Sequence, residues 1–119
     1  MGIHNQFGKE GEKLAVEFLK DNGYVIKHLN YRYLKAEVDI IAQQKSTLAI
    51  IEVKSRSSDA LQNIADTVTV KKIKLLVMAA DHYVSDNDLD VDVRFDIITI
   101  LKNADNLKIE HLKDAFYHF

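Results

Sequence analysis

Two acidic residues and a lysine stand out because they interrupt stretches that otherwise have the composition of buried strands. Asp39 lies in the run 37–42, and Glu52 and Lys54 lie in the run 48–55. Since strand side chains alternate, Glu52 and Lys54 point to the same face. The polar stretch between the two runs predicts an antiparallel hairpin with Asp39 opposite or diagonal to Glu52. Carboxylates that close repel each other, so the pattern indicates a shared proton or a compensating cation, which could be Lys54 or a bound Mg²⁺.

A third carboxylate, Glu12, is predicted to lie on an inward-facing helical stripe. It precedes Ala15, a core position of a helix predicted over residues 6–22, by three residues, and residues three apart share a helix face. Gly8 and Gly11 flank it, although glycine inside a helix costs about 1 kcal/mol relative to alanine. We therefore expect something to approach the backbone beside Glu12 closely, such as a substrate phosphate or a metal-bound water.

The elements that must position these residues follow from the periodicity of the apolar residues. Helices are predicted over residues 6–22, with Asn5 as N-cap and Gly23 in a left-handed stop, and over residues 64–84. Strands are predicted at residues 24–29, 37–42, 48–55, 92–101 and 107–111. This order predicts an α/β fold with a mixed central sheet flanked by helices. No repeat or linker divides the chain, so residues 1–119 are predicted to form a single domain.

The composition limits the classes of function that need to be considered. The chain has 119 residues, 47% of them apolar and 29% charged, in the range of one soluble domain. It has no cysteine, which excludes a disulfide framework and a thiolate metal site. No apolar run is long enough to span a bilayer, so we expect a cytoplasmic protein without membrane contact. The net charge of −2 restricts nucleic-acid binding to local patches.

Several short motifs resemble those of the YraN family of small bacterial proteins. They are Gly8-x-x-Gly11-Glu12, Glu37-Val38-Asp39 and Glu52-Val53-Lys54-x-Arg56, with further landmarks at Asn30-Tyr31-Arg32, Arg94-Phe95-Asp96 and Asp114-Ala115-Phe116. That family is similar to archaeal Holliday-junction resolvases within the PD-(D/E)XK, restriction-endonuclease-like superfamily. The chain departs from the pattern at Ala36, where glycine is usual, and in residues 57–68, which lack a Phe-Gly-x-Pro-like segment.

The resemblance implies a three-layer αβββαβ restriction-endonuclease-like core and a metal-dependent nuclease. Asp39 and Glu52 would bind Mg²⁺ or Mn²⁺, and Glu12 would complete the metal shell. Lys54 would orient or help to activate the attacking water. The implied substrate is DNA, including branched, Holliday-junction-like DNA, and cutting a four-way junction would need two sites, as in a C2 homodimer. Six cations are candidates for contacting the phosphates: Arg32, Lys35, Arg56, Lys71, Lys72 and Lys74.

Each of these assignments has an alternative. Glu52 and Lys54 also fit a simple ion pair on one face of a strand, and the lysines at 71–74 fit a solvated helix face. Arg94 and Asp96 fit a pair within the sheet. The histidines have no partner identifiable from the sequence and are assigned no role: His28, His82, His111 and His118. The alternative function is a non-catalytic nucleic-acid-binding or assembly module that keeps the nuclease fold.

Overall fold

The computed structural model describes residues 3–57 and 68–115, with the side chains of residues 8–56 and 68–115. Within these ranges the elements follow the predicted order. The helices are α1 (Ile3–Asp21) and α2 (Val70–Asp86), and the strands are β1 (Val25–Tyr33), β2 (Ala36–Gln44), β3 (Thr47–Ser57), β4 (Asp92–Asn103) and β5 (Asn106–Leu112). Neither helix in these ranges has the length and apolar character needed to cross a membrane.

The five strands form one mixed sheet in the order β1-β2-β3-β4-β5. Strands β1, β2 and β3 form an antiparallel meander, and β5 is antiparallel to β4 at the opposite edge. Strands β3 and β4 are parallel. A parallel pair requires a crossover connection, and α2 lies in that connection.

The two helices cover opposite faces of the sheet. Leu48 and Ile50 of β3 belong to the core cluster that contains Leu76 of α2. Ile51, which alternation turns to the other face, belongs to the cluster that contains Leu19 of α1. The result is a three-layer α/β arrangement, and the predicted fold class is confirmed.

The two ends of α1 compare differently with the prediction. The helix begins at Ile3, so Asn5 lies within it and is not the N-cap. The predicted end is confirmed, because Gly23 adopts a φ of 86°. The N–H of Tyr24 donates to the carbonyl oxygen of Leu19 at 2.9 Å, which closes the last turn in the manner of a Schellman motif.

The second helix begins later than predicted, at Val70. Thr69 has extended backbone and is the N-cap, and its Oγ1 accepts a hydrogen bond from the N–H of Lys72 at 3.1 Å. The predicted start at Ile64 lies outside the described residues. Because a threonine cap fixes the first turn of the helix, it also fixes the direction in which the side chain of Lys72 projects from α2.

Candidate functional site

Strands β2 and β3 separate at Asp39, and the side chain of that residue bridges the gap. The last regular pair between the two strands is Ile40 with Ile51. One step further, Asp39 Oδ2 accepts a hydrogen bond from the backbone N–H of Val53 at 2.8 Å. The carboxylate oxygen takes the place of a strand carbonyl. The sheet itself therefore fixes the side chain of Asp39.

Glu52 lies opposite Asp39 in the register of the hairpin and is only 7% exposed. Its Oε1 is 3.9 Å from Lys54 Nζ and its Oε2 is 3.5 Å from Lys72 Nζ. Both separations exceed the roughly 2.7–2.9 Å of a charge-assisted hydrogen bond. Among the described side chains, Glu52 Oε2 and Ser55 Oγ are buried and have no hydrogen-bond partner. The site therefore holds buried polar atoms that the described part of the chain does not satisfy.

Glu12 reaches the same site because α1 lies very close to β3. A Cβ at Gly11 would overlap Ser55 Oγ, whereas a Cβ at Gly8 would meet no atom within 4 Å. Gly11 therefore lets the helix approach the sheet at this point. The expectation that Gly11 leaves room for a ligand is wrong, since the side chain of Ser55 takes that space.

Three carboxylates, which we call the acid site (Glu12, Asp39 and Glu52), all have raised pKa values, and burial is the largest cause for each. Burial raises the pKa of Glu12, and the charges of Asp39 and Glu37 raise it further. Burial also raises the pKa of Asp39. Burial and the charge of Asp39 together raise the pKa of Glu52 to about 7. Carboxyls with raised pKa values are groups that a proton or an added cation would stabilise.

The donor atoms of the acid site suit a hard divalent cation. Mg²⁺ is commonly held by one or two carboxylates and keeps several of its waters. Asp39 and Glu52 supply two carboxylates, and Glu52 Oε2 has no hydrogen-bond partner among the described residues. Across residues 3–57 and 68–115, no group of three or more His, Asp or Glu side chains is arranged to hold a metal ion. Metal binding by Asp39 and Glu52, with Glu12 as a third ligand, therefore stays a prediction.

The six cations assigned to phosphate contact have different surroundings. Lys72 lies at the acid site beside Glu52. Arg32 is 3.5 Å from Glu37 at the protein surface, and Arg56 donates through Nη1 to a backbone carbonyl oxygen of β3 at 2.9 Å. The others are exposed: Lys35, Lys71 and Lys74.

Sequence reasoning missed the contact between Lys72 and Glu52. The contact depends on where α2 begins and on how the crossover returns the helix over the sheet. A lysine three residues after a capping threonine is the available sequence signal, and a predicted helix start at residue 64 conceals it.

A second buried carboxylate, on the α1 side of β4, has a full set of partners. Asp96 is 0% exposed and accepts hydrogen bonds from Arg94 Nε at 2.9 Å and from the N–H of Asp114 at 3.0 Å. His111 Nε2 lies 2.7 Å from Asp96 Oδ2, and Arg94 Nη2 donates to the Tyr24 hydroxyl at 2.7 Å. Burial alone would raise the pKa of Asp96, but His111, Arg94 and the N–H of Asp114 outweigh it and lower the pKa. The predicted pairing of Arg94 with Asp96 is confirmed.

Comparison with known proteins places the chain in a family. A family model described as "Uncharacterised protein family UPF0102" matches residues 11–100. The chain is 55% identical over 119 residues to a UPF0102 protein of Christiangramia forsetii and 52% identical over 119 residues to one of Flavobacterium psychrophilum, in each case over 100% of both chains. It is 44% identical over 117 residues to a UPF0102 protein of Bacteroides thetaiotaomicron, over 98% of this chain and 97% of that one. The chain therefore belongs to the UPF0102 family.

Proposed function

We propose that this protein is a divalent-metal-dependent endonuclease of the PD-(D/E)XK type that hydrolyses phosphodiester bonds of DNA, including branched DNA. The observation that carries the proposal is the pairing of half-buried Asp39 with buried Glu52, in which Glu52 Oε2 lacks a hydrogen-bond partner among the described residues. Lys54 follows Glu52 by two residues and its Nζ lies 3.9 Å from Glu52 Oε1. Two carboxylates and a lysine at one strand end are the groups that this chemistry requires.

The reaction joins a water oxygen to phosphorus while one ester P–O bond breaks, leaving a phosphate monoester and an alcohol that takes up a proton. Bound Mg²⁺ or Mn²⁺ would supply acidification of a water and neutralise the charge that develops on the phosphate. Asp39 and Glu52 would hold the cation. The N–H of Val53 fixes the carboxylate of Asp39 to β3. Lys54 places a positive charge beside the attacking water and orients it.

Cleavage assays test the proposal directly. Purified protein is incubated with Mg²⁺ or Mn²⁺ and single-stranded, duplex or four-way-junction DNA. Asp39→Asn, Glu52→Gln and Lys54→Met should each lower the rate by about 100-fold or more, because each removes a charge that acts on the reacting groups. Asn at position 39 keeps a carbonyl oxygen that can accept from Val53. Glu17→Gln is the matched control, since Glu17 is exposed on α1, and it should keep activity.

A metal titration reads the same site without depending on turnover. A ligand at 100 times its Kd stabilises the folded state by about 2.7 kcal/mol. The melting temperature of the wild-type protein and of Glu17→Gln should therefore rise with Mg²⁺ or Mn²⁺, and that of Asp39→Asn and Glu52→Gln should not. An unmoved wild-type melting temperature, together with no cleavage of any substrate, would reject the proposal.

Two ion pairs favour a second function, a non-catalytic nucleic-acid-binding or assembly module. Lys54 and Lys72 both lie near Glu52, so the chain provides cations of its own at the acid site. In such a module the lysines are permanent counter-ions, DNA binding is salt-sensitive, and Asp39→Asn leaves it unchanged. Lys72→Met separates the two functions. In a nuclease, Mg²⁺ should restore the stability that this variant loses, whereas in a module it should not.

A further inference from the structure

Two aromatic rings from distant parts of the sequence stack on each other at the edge of the sheet. The rings of Tyr33, at the end of β1, and His82, in α2, have centroids 3.9 Å apart and planes 14° apart. Tyr31 lies near the same imidazole, with centroids 6.5 Å apart. Tyr33 and His82 are both half-buried, so part of each ring remains open to solvent. No sequence motif announces this pair, because its members belong to different elements.

The stacked pair lines one end of a groove along the outer side of α2. A cavity of about 460 Å³ is bordered by Tyr33, His82, Lys74, Met78 and Asp81, among others. A second cavity of about 420 Å³ shares Lys74 and Met78 with the first and extends towards the start of the helix. We call the two cavities together the α2 groove. Both are shallow depressions open to solvent, a shape that suits an extended strand lying along the surface.

Charge divides the α2 groove into two ends. Lys71 and Lys74 border the cavity nearer the start of α2, and neither forms an ion pair within the described part of the chain. Asp81 borders the cavity at the aromatic end. A phosphate is attracted to the lysine end and repelled by the carboxylate, whereas a base offers a flat face to the aromatic rings.

The groove runs away from the acid site along one helix. Lys72 contacts Glu52, and His82 follows Lys72 by ten residues on the same helix. At about 1.5 Å per residue, the backbone positions of Lys72 and His82 are roughly 15 Å apart along the axis of α2.

We propose that the α2 groove binds a single-stranded part of the DNA substrate and that an unpaired base extends the stack formed by Tyr33 and His82. This inference rests on the proposed nuclease function and narrows its substrate to DNA with an unpaired portion near the cut. A base inside a duplex has no free face for an aromatic ring, so stacking requires an unpaired base. Lys71 and Lys74 contact the phosphates of the same strand.

A binding experiment in metal-free buffer with EDTA tests the inference, because cleavage is then blocked. Fluorescent single-stranded DNA and the matching duplex are titrated with wild-type protein, Tyr33→Leu and Tyr33→Phe. Leucine keeps the apolar bulk but has no aromatic face, so Tyr33→Leu should bind the single strand about 5- to 100-fold more weakly, the effect of one stacked base. Tyr33→Phe should match the wild type, and duplex binding should be the same in all three proteins.

Abasic DNA and a base analogue identify the stacked base itself. A strand with one abasic position at the stacked base should bind wild-type protein as weakly as Tyr33→Leu binds the intact strand, with no further loss when both changes are combined. 2-Aminopurine at that position should lose fluorescence on binding wild-type protein or Tyr33→Phe, and keep it with Tyr33→Leu.

The outcomes separate this inference from the proposed function. If Tyr33→Leu binds single strands as the wild type does, or weakens duplex binding equally, the inference is overturned while metal-dependent cleavage that needs Asp39 and Glu52 still supports the nuclease. If the wild-type protein binds no single strand, the inference falls, and if it also cuts no DNA, the proposed function falls with it. If thermal denaturation shows that Tyr33→Leu is not folded, His82→Leu is used instead, and the same loss of affinity for the single strand is expected.

Discussion

Two buried carboxylates of the described chain, Asp96 and Glu52, have opposite surroundings. Asp96 accepts hydrogen bonds from Arg94 and from a backbone N–H, lies 2.7 Å from a histidine nitrogen, and has a lowered pKa. Glu52 is nearly as buried, but its lysines stand 3.5 and 3.9 Å away and its pKa is raised to about 7. The hydrogen bonding of the carboxylate is thus complete at Asp96 and incomplete at Glu52.

The contrast distinguishes a network that stabilises the fold from a site whose polar atoms are not all satisfied. The partners of Asp96 come from β4, from β5 and from the segment after β5, so that network joins the last elements to the sheet. The acid site joins α1, β2 and β3 through carboxylates that repel one another. A chain able to satisfy one buried acid fully would gain stability by doing the same at the other. Its incomplete pairing is what the proposed binding of a cation would complete.

Removing Asp96 should have the largest effect on stability. Asp96→Ala leaves Arg94, His111 and the N–H of Asp114 without their common acceptor, and breaking a buried charged network of this kind costs about 3–5 kcal/mol. Urea unfolding of the metal-free protein measures the loss. The increase in melting temperature with Mn²⁺ should survive, because the acid site is untouched. A loss below about 1 kcal/mol would show that this network does not hold the sheet together.

Neutralising Glu52 should have the opposite sign. Above pH 7, Glu52→Gln removes a buried charge whose pKa lies well above the 4.5 of an ordinary glutamate. The metal-free variant should therefore be more stable by about 1–3 kcal/mol, the upper limit being set by 1.36 kcal/mol per unit of pKa. Loss of the contacts with Lys54 and Lys72 will reduce the gain. Destabilisation as large as that of Asp96→Ala would abolish the distinction between the two regions.

The two regions should also respond oppositely to pH. The pKa of Glu52 is higher in the folded state, so its stabilisation is full below about pH 4.5 and is lost as the pH rises through about 7. The pKa of Asp96 is lowered from 3.8, so its stabilisation is full above that value and is lost as the pH falls through the folded-state pKa. The free energy of unfolding of the metal-free protein should therefore decline between about pH 5 and pH 7, and decline less in Glu52→Gln.

Urea titrations across this range measure the pH response. Asp96→Asn should in turn flatten the loss of stability below about pH 4, because the variant no longer has the carboxylate that must be protonated there. If the free energy of unfolding changed between pH 5 and pH 7 by the same amount in the wild-type protein and in Glu52→Gln, the raised pKa at the acid site would be contradicted.

The smallest effects should come from two glycines of α1. Gly8→Ala places a methyl group in open space and should stabilise the protein by about 0.5–1 kcal/mol through helix propensity. Gly11→Ala must displace the Ser55 hydroxyl, so it should lose that gain and weaken the Mn²⁺ response by shifting Glu12. Thermal unfolding with and without Mn²⁺ measures both variants. Equal gains in stability would show that α1 does not need its close approach to β3.

The central part of the acid site could be predicted because it depends on local rules. The two-residue period of strands and a short turn fix the register of the hairpin, and the register places Asp39 opposite Glu52. The helical period places Glu12 on the inward side of α1. These rules act within one or two neighbouring elements, so a single sequence contains them.

The parts that sequence reasoning missed depend on how distant elements meet. Lys72 lies beside Glu52 because α2 crosses back over the sheet. His111 of β5 contacts Asp96 on the neighbouring strand, and His82 of α2 stacks on Tyr33 of β1. No periodicity encodes such meetings between side chains, since they depend on helix placement and on the twist of the sheet.

The hydrogen bond from Val53 to Asp39 gives one carboxylate two duties. Oδ2 accepts the hydrogen bond from the β3 backbone, and under the proposed function the same carboxylate would also hold a cation. A cation would keep Asp39 ionised, against the burial that raises its pKa, and an ionised carboxylate is the stronger acceptor for the Val53 N–H. The Val53 amide should exchange its hydrogen with solvent deuterium more slowly when the site is filled, so this amide would report occupancy from within the scaffold.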